Sequence, residues 1–220
     1  MSDPVVPVHE IAVRVVKHGR DAVFASRRAS FITKLKSQSG VGADRELESF
    51  FALPARDERP VFVGMTTYES LSAVNRVQMN PLVMLKFLPF FLTMDLKAYG
   101  FFVEVGEPSL NLATLATGPG NVLHVAVRRV AAQDQARHAE AQARFLELLL
   151  VQPGVVSHHE LRAVKGMGSV EGVTAGLTVF ADDEAMADAY DALSEHEAFF
   201  AYVSTFETLA SQFTRPTTSV

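Results

Sequence analysis

Two stretches of this chain, EIAVRVV at 10–16 and HVAVRRV at 124–130, are similar at an offset of 114 residues. At the same offset, FITKLKSQSGV at 31–41 aligns without a gap with FLELLLVQPGV at 145–155. One register is therefore kept through a β-branched segment, a helical segment and a glycine. The sequence therefore predicts two copies of one structural unit.

Both copies contain the same order of predicted elements. In the first copy, a β-branched strand at 11–16 precedes a helix that stops near Gly40, and strands at 41–49 and 61–68 follow. A second helix is expected to start near Ser70. In the second copy, the corresponding predictions are strands at 123–130, 155–164 and 173–180, a helix over 134–150, and a second helix near Asp182.

The last strand of each copy completes a βαββαβ order, which is the ferredoxin-like pattern. It is clear at 97–105, whereas LASQFTRPTTSV at 209–220 predicts only a short strand. Helices cover one face of such a sheet and leave the other apolar face bare, so we expect the two sheets to pack against each other within one chain. The predicted units are residues 1–108 and 121–220, joined by a linker at 109–120.

Composition excludes several classes of function. The 220 residues carry a net charge of −5, which does not favour nucleic-acid binding, and the absence of cysteine excludes disulfides and thiolate metal sites. The start, MSDPVVPVHE, lacks the features of a signal peptide, so we expect a cytoplasmic protein. The apolar run PLVMLKFLPFFLTM at 81–94 is short and contains Lys86 and Pro89, which predicts a buried or interface helix and no membrane partner.

The second copy resembles the antibiotic-biosynthesis-monooxygenase type of the dimeric α+β barrel superfamily. The residues that carry this resemblance are PGVVSHHELRAV at 153–164, GVTAGLTVFADDEAMADAY at 172–190 and SEHEAFFAYVSTF at 194–206. The resemblance implies an α+β fold in which two tandem ferredoxin-like units form an intrachain pseudo-dimeric α+β barrel. It also implies cofactor-independent oxygenase chemistry. The chain lacks tryptophan and lacks an Asn in the first strand, and both departures are arguments against the haem-degrading branch.

Two histidines are candidate catalytic residues. His196 lies at the helix-end histidine position of the family, where it would be either a substrate-facing acid or base or a capping or packing residue. His158 and His159 are adjacent in a strand and so point to opposite faces. His159 is predicted to face inward with Leu161, where it would either orient a phenolic substrate or be satisfied by a neighbouring residue.

Three further residues are candidate substrate contacts. His124 and Arg128 share one strand face, as do Glu10 and Arg14 in the first copy, and they form either a polar pair in a cleft or a salt-bridged rim. Tyr202 could donate to a substrate carbonyl or belong to the core. No convergent metal-ligand set and no nucleotide-binding motif is visible, so no metal site and no cofactor are predicted.

Three functions compete at this point. The protein is either a cofactor-independent monooxygenase (or a related isomerase) acting on a small aromatic or polyketide-like molecule, a non-catalytic binding or stress-related protein, or a structural dimerisation module. Self-association into a homo-oligomer is compatible with each. Because the second copy carries histidines where the first carries Glu10, Arg45 and Met84, we expect the ligand pocket in the C-terminal half, with His159 and His196 as polar contacts.

Overall fold

The computed structural model describes residues 6–55 and 57–217 of the chain. Eight strands and six α-helices lie in these residues, together with a one-turn 3₁₀ helix at Ala132–Asp134. The strands are β1 (Val8–Val16), β2 (Val41–Ala52), β3 (Val61–Tyr68), β4 (Met94–Glu104), β5 (Val122–Arg129), β6 (Val155–Gly166), β7 (Val173–Phe180) and β8 (Glu207–Pro216). The helices are α1 (Asp21–Lys36), α2 (Leu71–Gln78), α3 (Pro81–Phe91), α4 (Gln135–Leu149), α5 (Asp183–Ser194) and α6 (Glu197–Val203).

The eight strands form one closed barrel in the order β1-β3-β2-β8-β5-β7-β6-β4. Every neighbouring pair is antiparallel, which confirms the predicted α+β class. Two seams join the halves of the chain: β2 pairs with β8, and β4 pairs with β6. Closure removes the free sheet edges that each half would otherwise expose.

The two faces of the barrel wall have different partners. Alternate residues of β1, such as Ile11 and Val13, point into the barrel and pack in one apolar cluster with Leu123 and Val125 of β5. This interior cluster confirms that the two apolar sheet faces pack against each other. The other residues of each strand face the helices and form a separate apolar cluster in each half. A cavity between sheet and helices therefore lies outside the barrel and next to the helices of one half.

Local sequence signals explain where several helices begin. Ser70, Asn80 and Asp182 cap α2, α3 and α5 by accepting a backbone N–H with the side chain. Pro81 occupies the first turn of α3, where its missing N–H costs nothing. Gly40 has a φ of 82° in the turn between α1 and β2, a conformation that favours glycine.

Two details of the predicted elements are wrong. The last strand is not short, because β8 runs for ten residues and closes the barrel between β2 and β5. The second helix of each copy is two helices, α2 with α3 and α5 with α6, because a polar cap residue interrupts each helical run. Within the described residues, no helix is both long and apolar enough to span a membrane.

Candidate functional site

A cavity of about 460 Å³ lies between the sheet and the helices of the C-terminal half. Its walls are mainly aromatic, and its base on the sheet is polar. The volume falls within the range of roughly 300–1,000 Å³ that is typical of small-molecule sites. The aromatic wall residues are Phe145, Phe180, Tyr190, Phe199, Tyr202 and Phe206.

A row of polar side chains crosses the base of this cavity. His124 of β5 and His158 of β6 both pair with Thr178 of β7, so the three side chains lie side by side on the helix-facing surface of the sheet. The Nδ1 of His158 lies 2.9 Å from the Thr178 hydroxyl. The antiparallel register thus brings together residues from three strands.

Arg128 and Glu160 form a buried ion pair next to this row. The side chain of Arg128 is 4% exposed and that of Glu160 is 16% exposed. Burial alone would raise the pKa of Glu160, but Arg128 and His158 outweigh it and the pKa is lowered. Arg128 also donates from Nε to the Thr174 hydroxyl at 3.1 Å. Among the described residues, the hydrogen bonds of Arg128 use Nε and Nη2, which leaves Nη1 for a ligand.

His124 is held as a neutral imidazole. Its ring stacks on Phe213 with the centroids 4.2 Å apart, and its Nε2 lies 2.8 Å from the Ser211 hydroxyl. Burial, followed by the charge of Arg128 and the proximity of His158, lowers the pKa of His124 to about 3. Ser211 is its hydrogen-bond partner among the described residues, which leaves Nδ1 for a ligand.

Tyr202 forms the wall opposite the polar base. Its ring stacks on Phe145 at 4.6 Å, and the guanidinium carbon of Arg128 lies 5.4 Å from the ring centroid. Burial raises the pKa of Tyr202, so its hydroxyl keeps its proton and is a hydrogen-bond donor. The predicted contacts His124, Arg128 and Tyr202 therefore line one cavity. Both alternatives for Arg128 apply, because it lies in the cleft and also forms a salt bridge.

The N-terminal half has the same plan but little free space. Arg14 pairs with Glu46, and its guanidinium carbon lies 5.2 Å from the centroid of the Phe90 ring. This arrangement corresponds to that of Arg128 with Glu160 and Tyr202. Arg28, which aligns with Gln142 at the 114-residue offset, donates to Asp44 and Glu46 and closes the site from the helix side. The remaining cavity is about 150 Å³. The larger cavity thus lies in the C-terminal half, as the sequence predicts.

His159 and His196 do not line the C-terminal cavity. His159 does face inward, but inward is the barrel interior, where its Nδ1 lies 2.7 Å from Glu104. The cavity lies on the opposite face of the same strand. His196 is exposed and caps α6, accepting the Ala198 N–H at 3.1 Å. Neither side chain lines this cavity, and His196 caps α6; ligand contact by either residue stays a prediction.

Two residues of this site were not predicted from the sequence: His158, which lines the cavity base, and Glu160, which pairs with Arg128 next to it. Two signals could have found them. Strand alternation places His158 opposite His159, and the repeat aligns Glu160 with Glu46, one position before two aligned leucines. Among the described residues, no group of three or more histidine, aspartate or glutamate side chains could hold a metal ion.

Comparison with known proteins gives matches at the level of structure alone. No family model matches the chain, and no curated protein sequence matches it. An anthrone oxidase-like protein matches with a TM-score of 0.63 and 12% identity, covering 98% of this chain and 95% of the other. A candidate monooxygenase from Fusobacterium nucleatum subsp. nucleatum matches with a TM-score of 0.58 and 10% identity, over 96% and 94% of the two chains.

A variant of the chlorite dismutase from Candidatus Nitrospira defluvii matches equally well, with a TM-score of 0.58 and 11% identity over 98% and 93% of the two chains. These identities are too low to carry an activity across, and the matches span nearly the whole of each chain. Together with the closed eight-stranded barrel, they show that this chain has the dimeric α+β barrel fold, with both halves supplied by one polypeptide.

Proposed function

We propose that the C-terminal cavity binds a small, planar aromatic molecule and oxygenates it without a bound cofactor. The observation that carries the proposal is the combination of an aromatic cavity of about 460 Å³ with a neutral imidazole and a guanidinium at its base. Aromatic walls bind a planar ring by stacking, and the few polar groups fix its orientation. The structural likeness to an anthrone oxidase-like protein supports the choice of an anthrone as the test substrate.

In this reaction the CH₂ carbon of the anthrone loses two hydrogens and gains one oxygen atom from O₂, and the second oxygen leaves as water. The first requirement is removal of a proton to give an electron-rich anion that can reduce O₂. In this proposal His124 Nδ1 accepts that proton, and Arg128 Nη1 stabilises the oxyanion. Because the pKa of His124 is only about 3, proton transfer depends on the anion lying against Arg128.

The remaining sequence candidates have other places in this proposal. Tyr202 contributes a stacking surface and a hydroxyl donor to the cavity wall. His159 and His196 take no part in the cavity chemistry, because one lies inside the barrel and the other caps a surface helix. His158 positions the base of the cavity through Thr178 and Glu160.

Haem is not part of this proposal. A proximal histidine in haem proteins offers a free ring nitrogen to the iron. Both ring nitrogens of His158 have neighbours, and Nδ1 of His124, whose Nε2 lies 2.8 Å from Ser211, is assigned here to the substrate proton. The absence of haem degradation, expected from the missing tryptophan and first-strand Asn, stays a prediction.

The test is oxidation of 1,8-dihydroxyanthrone by the purified protein with a metal chelator present and no cofactor added. We expect O₂ uptake and anthraquinone formation in equal amounts. His124→Gln, which keeps a hydrogen-bonding side chain, should lower the rate by about 10²–10⁴-fold while changing substrate affinity little. His18→Gln, at an exposed site, is the matched control. Quinone formation that is unchanged in His124→Gln would refute the assigned role.

A non-catalytic binding function is the second candidate, and the weak basicity of His124 favours it. In that case the anthrone binds saturably and quenches the fluorescence of Tyr190 or Tyr202, but O₂ uptake does not exceed the rate without protein. Arg128→Lys tests the binding role of Arg128, because lysine keeps the positive charge and loses the planar pair of donors. Anthrone affinity and O₂ uptake are measured for the same variant. Loss of affinity without any turnover supports binding alone.

A further inference from the structure

A second pocket, of about 320 Å³, lies at one end of the barrel on the opposite side of the sheet from the aromatic cavity. The linker between the two halves forms one wall, with Ser109, Thr114 and Thr117, and β6 forms the other, with Ser157 and His159. Thr114 and Thr117 are exposed, so the pocket is open to solvent. Nothing in the proposed oxygenase chemistry uses this pocket.

Glu104 fixes the orientation of His159 in this pocket. Its carboxylate accepts the backbone N–H of Ser109 at 2.6 Å and that of Leu110 at 2.8 Å, and it lies 2.7 Å from Nδ1 of His159. Burial alone would raise the pKa of Glu104, but these hydrogen bonds outweigh it and the pKa is lowered. Since an ionised carboxylate only accepts, Nδ1 of His159 donates to Glu104, and the other ring nitrogen, Nε2, is available for a ligand in the pocket that His159 lines.

The hydroxyl groups of the pocket also have their protons engaged. Ser109 Oγ donates to Glu104 at 3.0 Å, Thr114 Oγ1 donates to the Asn111 carbonyl at 3.3 Å, and Thr117 Oγ1 donates to the Thr114 carbonyl at 3.2 Å. A hydroxyl has one proton and two lone pairs, so what each oxygen still offers is acceptor capacity. The unused capacity of these three oxygens is therefore that of an acceptor, and it is complementary to a ligand with several hydroxyl donors.

Charge selects between donor-rich ligands. Arg45 holds the linker from one side by donating to the carbonyls of Leu112 and Leu115, and the carboxylate of Glu104 holds it from the other. The two opposite charges face the same segment, so neither a cation nor an anion is favoured. Aliphatic side chains of Leu115, Val156 and Val179 complete the lining and accommodate carbon-bound hydrogens.

We propose that this linker pocket is a binding site for a small neutral polyol, whose hydroxyl groups hydrogen-bond to His159 Nε2 and donate to the threonine and serine oxygens. The site is independent of the aromatic cavity: His158 and His159 lie on opposite faces of β6, so each histidine reports on one site only. Binding joins the linker to β6 and thus stabilises the segment that connects the two halves.

The test is a titration of the ¹⁵N-histidine-labelled protein with glycerol and with erythritol, followed by long-range proton–nitrogen NMR of the imidazole rings. We expect a saturable shift of His159 Nε2, with His158 unchanged. Thr117→Val removes one acceptor and should weaken binding roughly 2- to 12-fold, the equivalent of one hydrogen bond. Thr33→Val is the matched control, since Thr33 is an exposed threonine that also donates to a backbone carbonyl.

Three results would overturn the proposal. The first is a shift that grows linearly with polyol and never saturates, which indicates a solvent effect. The second is an equal shift at His158 and His159. The third is tighter binding of ethylammonium or acetate than of either polyol, which would assign the pocket to an ion. Loss of anthrone oxidation bears on none of these readouts, so failure of the proposed function and failure of this site are distinguishable.

Discussion

For single residues, strand alternation predicts which side chains share a face of the sheet. It placed His158 and His159 on opposite faces and grouped His124 with Arg128, and both placements are confirmed. It could not say which face would border a cavity, because that depends on how the barrel closes and how the helices fill each half. His159 therefore lines a pocket at one end of the barrel and not the aromatic cavity, although its inward orientation is as predicted.

Gly176 makes room for the ion pair at the base of the aromatic cavity. A Cβ atom at this position would lie 3.1 Å from Nη1 of Arg128 and 3.3 Å from the His158 ring. We predict that Gly176→Ala pushes the guanidinium out of place and lowers affinity for an aromatic ligand about tenfold or more, an effect equal to about 1.4 kcal/mol. The measurement is a fluorescence titration with the anthrone.

Gly64 provides the matched control in the N-terminal half. A Cβ atom there would overlap the guanidinium of Arg14, so Gly64→Ala should lower stability. It should leave ligand affinity unchanged, because the small N-terminal cavity is not the proposed binding site. Equal loss of affinity in both variants would mean that the ligand does not depend on Arg128.

Among the secondary-structure elements, β8 is longer than the sequence pattern predicts. Its centre contains Ser211, Gln212 and Thr214, which break the apolar alternation expected of a strand. Each of these side chains has a partner on a neighbouring strand: His124, Ser49 and the Leu123 carbonyl. Their polarity is satisfied by tertiary contacts that no local sequence window contains.

Helix α3 has a buried face and an exposed apolar face, so one side is buried as expected, and the interface alternative stays a prediction for the other side. Phe90 is 1% exposed, whereas Leu85 is 66% exposed. We predict that Phe90→Ala lowers the free energy of unfolding by about 3–5 kcal/mol through cavity formation. Leu85→Gln should change it by less than about 0.5 kcal/mol.

Urea unfolding of both α3 variants provides the measurement. Similar losses in the free energy of unfolding for Phe90→Ala and Leu85→Gln at low protein concentration would contradict the assignment of a buried and an exposed face to α3. A loss for Leu85→Gln that appears only at high concentration would instead show that the exposed face contacts another copy, since association stabilises the folded state by mass action.

At the level of the complete barrel, the sequence repeat predicted the pairing of two sheets, and the differences between its copies predicted which half has the larger cavity, but not which side chains fill the other half. Both halves place an arginine–glutamate pair between sheet and helices. Only the N-terminal half adds Arg28 to that pair, and this additional side chain, together with Phe24 and Phe90, fills its cavity. At the aligned positions the C-terminal half carries Gln142, His138 and Tyr202, which leave the larger space open.

The stability of the whole barrel should fall in mild acid because three buried histidines are held neutral. Burial lowers the pKa of His9 to about 4 and that of His124 to about 3, and it also lowers the pKa of His138. An unfolded histidine titrates near 6.5, so below that pH the unfolded chain binds protons that the folded chain does not. The free energy of unfolding then falls as the pH falls.

His9 and His124 each contribute a slope of about 1.4 kcal/mol per pH unit between their folded and unfolded pKa values, which is about 2 kcal/mol each from pH 6.5 to pH 5. We predict this loss in urea unfolding at pH 7, 6 and 5, a range above the titration of most carboxylates. His124→Gln should flatten the dependence, because it removes one proton-binding group from the unfolded chain. His18→Gln should not, because His18 is exposed. A stability that stays constant from pH 7 to pH 5, or a slope that survives both His9→Asn and His124→Gln, would show that these rings are protonated in the folded barrel.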